Sequence, residues 1–111
     1  MRNTTKKTNS GTRRTSGEFW NLRLYIAGGT ARSIAAVRNL QQICDQHLAG
    51  KYKVEVIDLR KQPYLAAGDQ IVAVPTLVRR LPPPLKRLIG DLSATEKVLV
   101  GLDLRSEKSP S

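Results

Sequence analysis

Leu22, Leu24 and Ile26 alternate with Arg23 and Tyr25, the period of two expected of a strand with one better-buried face. Gly28 and Gly29 end that run, and Thr30 is placed to cap a helix. Apolar residues then recur every three or four positions at Ile34, Val37, Leu40, Ile43 or Cys44, and Leu48. This spacing predicts an amphipathic helix that ends before Gly50. Residues 52–59 carry the β-branched Val54, Val56 and Ile57 and are predicted as a second strand. Strand, helix and strand in succession imply a right-handed βαβ unit, with parallel strands and the helix across one face.

Beyond Asp58 the pattern loosens. Gln62-Pro63-Tyr64 opens an irregular or short helical stretch to Asp69. Residues 71–74 and 76–78 are strand-like on either side of Pro75, which has no N–H for a ladder. Leu81-Pro82-Pro83-Pro84 excludes a helix interior. Ser93-Ala94-Thr95-Glu96 has the spacing of a capping box at a helix start. The following Val98-Leu99-Val100-Gly101-Leu102 instead favours a strand, and its glycine costs about 1 kcal/mol inside a helix. Local signals therefore conflict in this last segment, which is not the mark of a sequence with one well-separated minimum.

The chain has 111 residues, 40% of them hydrophobic and 25% charged, which fits one globular α/β domain. Residues 1–19 read as a disordered basic arm, 20–106 as the domain and 107–111 as a frayed end. Nineteen basic residues against nine acidic give a formal charge of +10. Five of the basic residues stand in the arm: Arg2, Lys6, Lys7, Arg13 and Arg14. The single cysteine, Cys44, has no partner for a disulfide, and with one histidine, His47, it does not supply a structural zinc site. No metal or other cofactor is expected. Long apolar runs and a signal-type start are absent, so a cytoplasmic location without membrane insertion is expected.

A set of segments in order, Leu24-Tyr25-Ile26-Ala27-Gly28, Val56-Ile57-Asp58, Val74-Pro75-Thr76-Leu77, Leu81-Pro82-Pro83-Pro84, Leu88-Ile89-Gly90-Asp91-Leu92-Ser93 and the run from Val98 to Leu104, resembles the KaiB family. The resemblance covers about residues 20 to 105. It implies a non-enzymatic regulator that binds the ring ATPase KaiC and, in clock systems, helps sequester KaiA and competes with the kinase SasA. It also implies two folds on a shared βαβ half: a ground-state βαββααβ form, a tetramer or dimer, and a thioredoxin-like βαβαββα monomer that binds KaiC. The conflict after Ser93 falls in the half that would be rebuilt. Gly101 and Asp103 match positions that favour the ground state, and Gly101→Ala is expected to favour the thioredoxin-like form. Pro75 matches the cis-proline position of thioredoxin-like proteins. Arg79 and Lys86 match basic positions implicated in partner contacts. Glu55 and Gln70 stand where clock members usually carry Lys, and Gly28-Gly29-Thr30-Ala31-Arg32 replaces Gly-Asn-Thr-Pro-Asn. A change of sign at an interface alters partner choice more than fold, so a KaiB homologue in a stress or simplified timing system is expected.

Two other classes compete with this reading. A thioredoxin-like oxidoreductase needs a low-pKa thiolate at the start of the first helix, and residues 28–33 hold no cysteine. Cys44 lies on the apolar stripe instead, where a buried thiol is inert. Nucleic-acid binding would draw on the arm with Arg79, Arg80, Lys86 and Arg87, but only 5% of residues are aromatic and no reading motif is present.

Overall fold

The computed structural model describes residues 19–104. The arm, apart from Phe19, and the end over residues 107–111 lie outside the described residues. Seven elements follow in order: β1 (Trp20–Ile26), α1 (Ala31–His47), β2 (Tyr52–Asp58), α2 (Leu65–Gly68), β3 (Thr76–Leu81), β4 (Lys86–Ile89) and α3 (Thr95–Gly101). They build one four-stranded sheet in the order β2-β1-β3-β4. β2 runs parallel to β1, while β3 runs antiparallel to β1 and β4 to β3. This is the thioredoxin-like of the two expected arrangements.

The pleat of β1 divides the interior. Trp20, Leu22 and Leu24 point to one face, where Leu77, the inner side of α1 and Val98, Leu99 and Leu102 close the larger core. Tyr25 points to the other face with Ile57 and Val78, covered by Leu59, Leu65, Ile71 and Val74. Both α1 and α3 therefore pack on one side of the sheet, and the single turn of α2 packs on the other.

Four local expectations are corrected. The stripe on α1 is rotated: Ser33, Ala36, Leu40, Ile43 and Cys44 face the core, whereas Ile34 and Val37 remain 49% and 37% exposed. Small residues suit the close approach of this end to β1, where the Ser33 Oγ accepts the Ala27 N–H at 3.0 Å. Residues 71–74 form no strand; the ladder starts at Thr76, after the proline that has no N–H to donate. Ile71 and Val74 serve as plugs for the smaller core. The capping box does not form at Ser93: α3 begins at Thr95 with Ala94 in the cap position and no side-chain cap bond. The Ser93 N–H instead donates to the Asp91 Oδ1 at 3.0 Å, a local turn that competes with helix initiation. The strand-like run after it is helical because Val98, Leu99 and Leu102 together bury one face.

Candidate partner-binding surface

In a thioredoxin-like fold the loop before α1 carries the redox chemistry. Here it is closed by backbone-directed bonds. Thr30 accepts the Ser33 N–H at 3.2 Å, and the Asp58 carboxylate accepts the N–H groups of Gly28 and Arg60, both at 3.0 Å. Those two N–H groups, Arg60's first, hold the Asp58 carboxyl below its usual range. Gly28 has φ +58 and lies under the Arg60 side chain, so a side chain here would be strained and would clash. Cys44 is far along α1 and fully buried. Burial, helped by the neighbouring Asp45, pushes its thiol up from 9.0 to about 12. A thiol in that state is protonated and inert at neutral pH.

Arg79 is the centre of a clamp inside the domain. It is 1% exposed, on the α1 and α3 side of β3. Its Nη1 donates to the Leu102 carbonyl and to the Asp103 Oδ2 at 3.2 Å, and its Nη2 donates to the Pro84 carbonyl at 2.7 Å. The guanidinium also lies 5.4 Å from the Trp20 ring centroid, within cation–π range. Lys86 reaches the same Asp103 oxygen at 4.0 Å. Asp103 itself has φ +65, and the N–H groups of Asp103 and Leu104 return to the carbonyls of Val100 and Leu99 at 3.0 and 2.8 Å. These paired bonds are a Schellman ending of α3. Gly101, the last residue of α3, abuts Leu88 on β4. The structure thus brings together Arg79, Lys86, Gly101 and Asp103. Arg79 is not presented at the surface of this arrangement; Lys86 is, in part.

The remaining residues singled out from the sequence lie apart. Glu55 is exposed on β2 and paired with Arg23, its Oε1 3.1 Å from Nη2. Gln70 is exposed just after α2, with φ +56. Pro75 is buried, its peptide bond with Val74 cis, and its carbonyl accepts the Gly90 N–H at 2.9 Å. Exposed apolar groups include Tyr64, Val72 and Ile89 around the α2 side, and Val56, Ile34 and Val37 on the other. Ile26, Ile34 and Val37 line a groove of about 290 Å³.

Sequence reasoning missed a second cluster, around Asp69. This carboxylate is buried, accepts the Tyr25 hydroxyl at 2.6 Å and takes the Arg80 Nη1 at 3.1 Å on both oxygens. Arg23 stands 3.6 Å away, and the Arg87 Nε donates to the Asp69 carbonyl at 3.0 Å. Burial, then the bond to Asp69, raises the Tyr25 phenol above its ordinary value. The available signal was Tyr25 on the inner side of β1 opposite the leucine face, a polar-tipped ring that needs a partner when buried.

These features define a thioredoxin-like domain whose redox position holds no thiol and whose charged clusters tie its C-terminal half together. Solved structures of the same fold include the N-terminal domain of Synechococcus elongatus SasA, with a TM-score of 0.64 at 19% identity over 89% of this chain and 97% of that one. Chloroplastic thioredoxin z gives 0.63 at 23% identity over 80% of each. The KaiB domain family matches residues 23–104. The chain is 51% identical over 86 residues to the circadian clock protein KaiB3 of Synechocystis sp., covering 78% of this chain and 84% of that protein. It is 53% identical over 83 residues to the circadian clock oscillator protein KaiB of Prochlorococcus marinus, covering 75% and 79%. The chain belongs to the KaiB family. No helix among the described residues is long and apolar enough to cross a membrane.

Proposed function

We propose that this chain is a non-enzymatic KaiB-type regulator that binds a KaiC-type ring ATPase and modulates its phosphorylation, timing or stress output. The observation that carries this reading is the identity of about half the residues with circadian KaiB proteins over nearly the whole domain. The fold shared with the SasA N-terminal domain supports a thioredoxin-like binding form, and a KaiA- or SasA-like protein is a further candidate partner. Selection between this form and an oligomeric ground state supplies the regulation. If the ground state were favoured 99:1, the ATPase would have to prefer the thioredoxin-like form by about 5.5 kcal/mol to invert the ratio.

In this reading Glu55, Gln70 and Lys86 contact partners, and Gly101, Asp103 and Pro75 bias the choice of fold. Arg79, enclosed here, acts by holding the end of α3 to the sheet; direct contact with a partner would require the other arrangement. Analytical ultracentrifugation of the chain with and without a nucleotide-loaded KaiC-type ATPase tests the proposal. The chain is expected to co-sediment with the ring in one nucleotide state. Absence of a complex in every nucleotide state would refute it.

A further inference from the structure

We propose that the α2 side of the sheet carries a second docking surface, built by Arg23, Arg80 and Arg87, for an acidic polypeptide segment. The registers set one row across the sheet: Glu55 opposite Arg23, Arg23 opposite Val78, and Val78 opposite Arg87. The next row places Lys53 opposite Asn21. Arg80 stands in the irregularity where pairing passes from Leu22 and Arg79 to Asn21 and Leu81. These rows share the face of Tyr25 and Val78, and the four-residue α2 is too short to cover it. Lys53, Glu55, Arg80 and Arg87 are exposed.

The chemistry of this face already selects carboxylates. Glu55 Oε1 takes the Arg23 Nε at 3.1 Å, and the Asp69 carboxylate takes Arg80. Asp69 also fixes Arg87 through its carbonyl, at the Nε. Four cations, Arg23, Lys53, Arg80 and Arg87, therefore share this face with two carboxylates, Glu55 and Asp69, and the Nη groups of Arg87 with the Nε and Nη2 of Arg80 have no partner among the described residues. Guanidiniums anchored on one edge and open on the other are pre-organised for charge-assisted, two-pronged bonds to incoming carboxylates. A nucleic acid fits less well. Tyr25, on the same face, is fully buried with its hydroxyl committed to Asp69. The exposed ring on this side, Tyr64, stands at the start of α2, outside the strand rows that carry the arginines, so no run of stacking rings lines the guanidiniums.

The test is an NMR titration of the full chain with a short glutamate-rich peptide at about 0.15 M salt, where exposed non-specific attraction is screened. Amide shifts are expected to saturate together at Asn21, Arg23, Lys53, Arg80 and Arg87. The pair Arg80→Glu and Arg87→Glu is expected to weaken binding about tenfold or more, and Arg38→Glu with Lys97→Glu, equal in charge, by less than about twofold. If the first pair loses its dispersed spectrum, Arg87→Gln alone is expected to weaken binding severalfold, since Arg87 is exposed. Equal losses in both charge-matched pairs, or shifts scattered over the chain, would overturn the proposal. Tighter binding of a length-matched single-stranded oligonucleotide on the same residues would also overturn it, in favour of nucleic acid. The KaiC-type sedimentation assay on the same variants keeps the two proposals separable.

Discussion

Gly101→Ala places two opposing effects on one methyl group. Gly101 is the last residue of α3, and replacing glycine by alanine in a helix favours it by up to about 1 kcal/mol, roughly fivefold in population. That gain is what the sequence suggests. The structure adds a cost, because a Cβ at Gly101 would overlap the Leu88 Cδ2 and stand 3.2 Å from its Cγ and Cδ1. Leu88 is half-buried on β4, so its terminal methyl must move, and overpacking of this kind costs about 1–3 kcal/mol where the neighbour is held. A cycle of Gly101→Ala, Leu88→Ala and the double variant separates the two. In the Leu88→Ala background the alanine is expected to stabilise the thioredoxin-like arrangement by its full helical gain. In the otherwise unaltered chain it should do so less by about 1 kcal/mol or more. Urea unfolding gives the free energies, and NMR peak volumes report the populations of the two forms if both are present. Equal effects of Gly101→Ala in both backgrounds would refute the Leu88 contact as the opposing term.

Three further outcomes follow from the clusters. The Cys44 thiol, pushed up to about 12, stays protonated in the folded chain while the unfolded thiol ionises from 9.0. Stability is therefore lost between those values as pH rises, by at most about 1.4 kcal/mol per unit from this group; urea midpoints across that range should flatten in Cys44→Ala, and a thiol reagent at pH 8 should react only on unfolding. Tyr25→Phe removes the 2.6 Å bond to Asp69 and should cost about 1.5–3 kcal/mol in urea unfolding, as for other bonds to charged groups. Asp103→Asn keeps a residue tolerant of positive φ but removes the charge opposite Arg79. With Asp103 about one-third exposed and two carbonyls still holding Arg79, the expected loss is about 1–2 kcal/mol, read from thermal or urea unfolding.

The first half of the chain was legible because its signals agree. Alternation in β1, the Thr30 cap and the β-branched run of β2 all point to one local structure, which the pairing of β1 with β2 completes. Even there, periodicity located α1 but chose the wrong edge of its stripe, since Ile34 and Val37 look like core while Ser33 and Ala36 do the packing. In the second half, β4 has only four residues and alternates half-buried with exposed positions, too short to stand out. The direction of the 98–102 segment is set by burial against Leu77 and α1, which no local propensity encodes. The Asp69 cluster was invisible for the same reason. Its members are separated by 44 residues in the case of Tyr25 and Asp69, and only the sheet brings them together.

Under the function proposed above, those long-range clusters are where selection between two arrangements would act. Arg79 ties β3 to the end of α3 and to the Pro84 carbonyl, whereas Asp69 ties the exit of α2 to β1, β3 and β4. The Asp69 cluster joins β1 of the shared βαβ half to the half proposed to rebuild, whereas the Arg79 clamp lies within the latter and reaches the shared half at the Trp20 ring. A partner that covered either cluster equally well in both arrangements would shift nothing, whatever its affinity. Only contacts that require these particular juxtapositions can favour the thioredoxin-like form. The Asp69 cluster opens to solvent through Arg80 and Arg87, while the Arg79 clamp is enclosed. An approaching partner can therefore read the fold directly at the first cluster, and at the second only through the position of α3.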